Sequence, residues 1–119
     1  MASTRTDQFS GLLPQEVLAL PKVEMPVDGV TGFAFSDDEK QVVFFVFEEG
    51  VSFPDHSHCA QRGTVLSGEM VMDIEGRTNL YLPGDHYHVP KGVHHRTMFT
   101  QRTVLVDMSD DPHRYPVLG

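Results

Sequence analysis

Apolar and polar residues alternate over short distances along this chain, and Gly, Pro or Asp interrupts them every few positions, the pattern of strands joined by turns. Val30 to Phe35 is apolar and rich in strand formers, and Ser36-Asp37-Asp38-Glu39 reads as a turn. Gln41 to Phe47 is β-branched and aromatic almost throughout and predicts a buried strand, ended by Glu48-Glu49-Gly50. Thr64-Val65-Leu66, the Ser67-Gly68 pair and Glu69 to Ile74 together have the form of a β-hairpin. A turn at Glu75-Gly76-Arg77 precedes Leu80-Tyr81-Leu82 and Pro83-Gly84-Asp85. Tyr87 to Val89, Val93 to Phe99 and Arg102 to Asp107 complete the set. No segment keeps helical periodicity over three turns; Gln15 to Leu20 predicts one turn at most. The pattern therefore predicts an all-β sandwich or barrel in one domain over residues 16–119. A polar, flexible N-terminal arm over residues 1–15 precedes it.

Composition narrows the partners. A chain of 119 residues that is 39% apolar fits one globular domain with a modest core. A formal net charge of -8 argues against nucleic acid or an anionic membrane as a main partner. No apolar run reaches the roughly 18 residues of a membrane span, and Met1 to Thr6 lacks the apolar core of a signal peptide. Cys59 is the only cysteine, which forbids an internal disulfide and makes a reducing, cytoplasmic setting the expectation.

Candidate chemistry lies in the histidines. In an extended strand alternate residues share a face, so His56 and His58 point the same way. Two adjacent imidazoles suit one metal ion, and His95, from a distant strand, would close the site. Thr97 and Phe99 share the parity of His95 and are expected to line the same space, whereas His94 faces away. Asp107 continues the inward parity of Thr103 and Leu105, which would bring a carboxylate into the barrel; otherwise it is a solvated strand end. His86 and His88 flank Tyr87 on one face and fit a pocket rim, a weak second metal site, or solvent and dimer contacts. Cys59 has the opposite parity to His58 and reads as a packed or exposed thiol. Arg62, Arg96 and Arg102 suit surface ion pairs better than a substrate carboxylate.

Gly50-Val-Ser-Phe-Pro-Asp-His56-Ser-His58-Cys-Ala-Gln61 through Gly68-Glu69, followed by Gly84-Asp-His-Tyr-His-Val-Pro90-Lys-Gly92-Val-His-His95, resembles the two motifs of the cupin superfamily, in order and near family spacing. The resemblance spans roughly residues 41–107 and implies a cupin jelly-roll β-barrel of the small single-domain type, with its site inside. It implies a metal held by His56, His58, Gln61 and His95, with Gln61 where the family usually has Glu and with one or two residues fewer between His58 and Gln61. Phe99 stands where relatives often have asparagine. Cupins similar to the pectin-degradation group use an acidic residue on the last strand to move protons, which implies that role for Asp107, although Ser109 replaces their aromatic two positions on.

Three imidazoles and an amide are a neutral ligand set, so a divalent transition metal (Zn, Fe, Ni or Mn) keeps its full charge and favours anionic, small-molecule substrates. The leading expectation is Lewis-acid-assisted isomerisation or tautomerisation of a small oxygenated substrate such as a sugar acid, with Asp107 moving the proton. A metal-dependent dioxygenase and a non-catalytic binding or sensing cupin are the alternatives. A homodimer is expected from the apolar strand near Val42 to Phe47 and from Phe9, Leu12 and Leu13 in the arm.

Overall fold

The computed structural model describes residues 9–56 and 59–118, with Asp55 and His56 described by their backbone alone. One short helix, α1 (Gln15–Leu18), precedes nine strands: β1 (Val30–Ser36), β2 (Gln41–Phe47), β3 (Ser52–His56), β4 (Gln61–Ser67), β5 (Met70–Ile74), β6 (Arg77–Tyr81), β7 (His86–Val89), β8 (His95–Met98) and β9 (Thr103–Ser109). Every strand pairing is antiparallel. The strands form a five-stranded sheet in the order β1-β2-β9-β4-β7 and a four-stranded sheet in the order β3-β8-β5-β6. This is the expected all-β, two-sheet barrel. Among the described residues no helix is long and apolar enough to cross a membrane.

The unbroken apolar run of β2 has a structural cause: both of its faces are covered. Val43, Phe45 and Phe47 join Val65, Met72, Val89 and Leu105 in the core between the sheets. Val46 and the partly buried Phe44 face the other way, against a second cluster of Phe9, Leu13, Leu18, Phe33 and Val104. A strand buried on both sides needs apolar residues at every position, and period-2 alternation disappears. The expected arm therefore divides. Residues 1–8 lie outside the described residues, while Phe9 and Leu13 are buried against the outer face of the five-stranded sheet. The Phe9 ring meets Phe33 edge-on at 6.1 Å, and the Arg102 guanidinium lies 5.2 Å from its centroid. That apolar side of the segment is what the reading of a loose, polar arm underweighted.

The hairpin expected at Ser67-Gly68 does not form. Strand β4 already has β9 and β7 as neighbours, so it has no open edge for β5, which pairs with β6 and β8 in the other sheet. The Ser67-Gly68 turn carries the chain between sheets instead. Gly68 adopts φ +80°, and any Cβ there would run into the Arg102 carbonyl oxygen and Thr103. The Glu69 N–H donates to the Thr103 hydroxyl at 3.1 Å, a side-chain partner in place of a strand partner. The tight hairpin lies one turn later: Ile74 pairs with Arg77 across Glu75 (φ 52°) and Gly76 (φ 76°), both left-handed as a type I′ turn requires.

The two glycines make a matched test. Gly76→Ala meets no atom within 4 Å and is expected to cost about 1 kcal/mol, the left-handed penalty alone. Gly68→Ala adds overlap with the β9 backbone and is expected to cost at least about 3 kcal/mol in urea unfolding.

Candidate functional site

Between the sheets lies a cavity of about 440 Å³. Its walls are mostly apolar: Phe45, Phe47, Phe53, Met70, Met72, Val89, Phe99 and Leu105, with Met25 and Val27 from the segment before β1. Phe47 and Phe99 stack at 3.9 Å with an interplanar angle of 6°. The polar side chains lining it are Glu24, Gln61, Tyr87, His95, Thr97, Asp107, Arg114 and Tyr115.

Asp107 is the electrostatic centre. The parity that places Leu105 in the core brings Asp107 inward as well, where it is 6% exposed. Its two oxygens have separate donors: Gln61 Nε2 donates to Oδ1 and the Tyr87 hydroxyl donates to Oδ2. Burial pushes the carboxyl up to about 6, against the lowering effects of the Tyr87 and Gln61 hydrogen bonds and of the Arg114 charge. Burial and the neighbouring Asp107 charge push the Tyr87 phenol well above its ordinary value. The same two causes, in the same order, push Tyr115 up to about 12. Both phenols thus stay protonated near neutrality, and of these three groups Asp107 is the one that can take up or give away a proton there.

The sheet register makes this contact possible. Gly63 on β4 stands opposite both Tyr87 on β7 and Asp107 on β9. A Cβ at Gly63 would overlap the Tyr87 phenol and the Val106 carbonyl oxygen. Lacking one, Gly63 leaves the path along which Tyr87 reaches the carboxylate. Tyr115 arrives by another route. After β9 the chain folds back, with a bridge pairing Val23 and Val117, and the Glu24 N–H donates to the Pro116 carbonyl at 2.8 Å. The buried Gln41 amide holds this return: its Nε2 donates to the Tyr115 carbonyl at 3.0 Å and its Oε1 accepts the Tyr115 N–H at 2.9 Å.

Of the four residues expected to hold a metal, Gln61 and His95 both line the cavity. His95 Nδ1 lies 3.2 Å from the Val93 carbonyl oxygen, which can only accept, so Nδ1 is the donor in this contact. Gln61 Nε2 has acceptors in Asp107 and, at 3.4 Å, the Tyr115 hydroxyl, so Oε1 is the amide atom left to act as a ligand. His56 is the cross-strand partner of His95. His58 lies outside the described residues. Among the described residues no three His, Cys, Asp or Glu side chains cluster closely enough to hold a metal. An imidazole and an amide oxygen nonetheless fit the donor chemistry of a divalent transition metal.

The other candidates separate cleanly. Thr97 and Phe99 line the cavity with His95, and His94 is exposed. His86 and His88 are exposed, with His86 Nδ1 2.7 Å from the Thr64 hydroxyl. Arg62, Arg96 and Arg102 pair with Asp110, Asp73 and Glu48 at the surface. Cys59 is half-buried and in no disulfide. Sequence reasoning missed Gln41, Gly63, Tyr87, Arg114 and Tyr115. Tyr87 was reachable, since its parity opposes that of His86 and His88; Arg114 and Tyr115 follow the last strand, where no periodicity guides the eye.

Comparison with known proteins agrees with this architecture. No curated protein matches the sequence. Similar solved structures include KdgF from Halomonas sp., 20% identical with TM-score 0.68, the match covering 75% of this chain and 87% of that one. An RmlC-like cupin from Shewanella frigidimarina is 24% identical with TM-score 0.70, covering 79% and 86%. Bacillus subtilis oxalate decarboxylase, a protein with Mn(II) centres, is 20% identical with TM-score 0.68, covering 82% of this chain and 29% of that one. At these identities the likeness is one of fold. The cupin domain family, however, matches the sequence itself over residues 43–115, well over half its length. With sheet order, internal cavity and sequence match in agreement, this chain belongs to the cupin family.

Proposed function

We propose that the cavity is the active site of a metal-dependent enzyme that moves a proton within a small oxygenated substrate, giving isomerisation or tautomerisation. The observation that carries this reading is Asp107: a buried carboxylate, raised to about 6, in the same cavity as His95 and Gln61. His56, His58, Gln61 and His95 are its metal ligands. The ion supplies Lewis-acid character toward a carbonyl or hydroxyl oxygen. Asp107 takes a proton from the carbon beside a carbonyl, the C–H electron pair moves toward that carbonyl, and Asp107 returns the proton at a different atom of the same molecule. No oxidant is consumed. Gln61 and Tyr87 hold the carboxylate in place, and a group with a pKa near 6 serves both halves of this transfer at neutral pH. The apolar walls exclude water that would otherwise compete for the proton. The dioxygenase alternative has no use for such a carboxylate. A homodimer in the cytoplasm belongs to the same reading, supported by the exposed Phe35 on β1, at the edge of its sheet, and by the single cysteine, which is in no disulfide.

Elemental analysis of protein purified without chelator is expected to find near-stoichiometric transition metal, lost in His58→Ala and His95→Ala and reduced in Gln61→Ala. A metal-free parent protein overturns the assignment.

Incubation with a panel of small 2-oxo acids and sugar acids in D2O, followed by NMR, reads proton exchange beside the carbonyl directly. Asp107→Asn is expected to slow exchange at least about a hundredfold with metal content unchanged; full exchange in that variant removes Asp107 from the mechanism. Tyr87→Phe keeps the ring and deletes one donor to the buried carboxylate. It is expected to cost about 1–3 kcal/mol in urea unfolding, the range for an unsatisfied buried acceptor, and to slow exchange about tenfold.

A further inference from the structure

Arg114 stands apart from the other arginines. Arg62, Arg96 and Arg102 each meet a carboxylate at the surface. Arg114 instead is the one Arg or Lys among the described residues lining the cavity. Its Nε is buried and has no hydrogen-bond partner. A guanidinium is charged at every working pH, and a buried N–H without an acceptor is a costly arrangement that calls for a ligand. The group is also preorganised: its Cζ lies 4.6 Å from the Tyr115 ring centroid, and the Gln41 amide holds the Tyr115 backbone through two hydrogen bonds. Two carboxylates share the cavity with it: Asp107, which feels the Arg114 charge but makes no ion pair with it, and Glu24, which is exposed and makes no ion pair with it either.

The remaining walls define the rest of the ligand. Phe45, Phe47, Met70, Met72, Phe99 and Leu105 present no donor or acceptor side chain able to serve a hydroxyl. The five-stranded sheet and the tail supply a connected polar group, in which Gln61 touches Asp107 and Tyr115, Tyr87 touches Asp107, and Arg114 lies on Tyr115; His95, Thr97 and Glu24 are the other polar side chains of the lining. A hydroxyl placed against the apolar walls would give up its hydrogen bonds to water for nothing in return.

The geometry points to Arg114 as the receptor for a carboxylate on the cavity's ligand, and to a ligand oxygenated at one end with an alkyl or aryl body, not a polyhydroxylated one. This inference narrows the substrate class of the site described above and rests on that cavity being the substrate site.

Three probes separate the parts by calorimetry: 4-methyl-2-oxopentanoate, the uncharged 4-methylpentan-2-one and glucuronate, each on protein as purified and after chelator treatment. The parent protein is expected to bind the branched oxo acid more tightly than the ketone or glucuronate. Arg114→Gln is expected to weaken the oxo acid about tenfold or more and leave ketone binding unchanged, which also shows that the variant is folded; Arg114→Lys recovers part of the loss. Oxo-acid binding equal in Arg114→Gln and parent overturns the assignment. If that binding also vanishes with chelator, the carboxylate sits on the metal, and the metal-site reading stands while the Arg114 reading falls. Tighter binding of glucuronate than of the oxo acid overturns the apolar-body part. Proton exchange in D2O that persists in Arg114→Gln at high substrate, with a raised KM, separates recognition by Arg114 from transfer by Asp107.

Discussion

Removing a carboxylate from water costs several kcal/mol unless the interior supplies hydrogen bonds in return, and Asp107 is such a carboxylate at the centre of this barrel. Its neighbours answer that demand one oxygen at a time, Gln61 on Oδ1 and Tyr87 on Oδ2. Each answer requires something further away. Tyr87 needs Gly63 to have no side chain, because the two face each other across the β4–β7 pairing. Gln61 shares its second amide hydrogen with Tyr115, and Tyr115 is in place because Gln41, on the far side of β9, captures its backbone. Residues as distant in sequence as 41, 63, 87 and 115 are thus tied to one carboxylate. The raised pKa is the residue of cost that these bonds leave uncompensated, and it is what makes the group useful for proton transfer.

The five-stranded sheet carries this load because it is sandwiched. Its inner face supplies Phe45, Leu105 and Val89 to the cavity wall, and its outer face is sealed by Phe9, Leu13 and Leu18. Strands β2 and β9 lie side by side at the centre of that sheet. Any rotation of β9 that moved Asp107 out of reach of its donors would also strip Val104 from the outer cluster. Packing on one face therefore fixes chemistry on the other. The four-stranded sheet contributes differently: His95 opens β8 directly beside His56, so its strand pairing brings the two histidines into register across a single ladder. The Gln61 amide and the His95 imidazole, from opposite sheets, then line one cavity.

Much of this was legible in the chain. Alternation along the last strand offered Asp107 as an inward carboxylate beside the reading of a solvated strand end, the spacing of glycines and histidines placed His56 and His95 on strands, and the parity of Thr97 and Phe99 assigned them to the cavity wall. Local periodicity decides such questions because a strand has only two faces and a core only one polarity. The Ser67-Gly68 turn shows the limit. Its composition suits a hairpin, but whether β5 can pair with β4 depends on which strands already occupy the β4 edges, and those strands, β7 and β9, come later in the sequence.

The polarity of the strands, the family motifs and the candidate ligands are local properties, each readable within one strand or one motif of the chain. Which distant groups converge is set by folding. Tyr87 and Gly63 meet through strand pairing, Gln41 reaches Tyr115 across 74 positions, and Arg114 enters the cavity from an irregular tail. No pattern in a linear chain encodes the closure of a barrel; it follows from burying both sheets against each other, and that burial sets the distances on which the site depends.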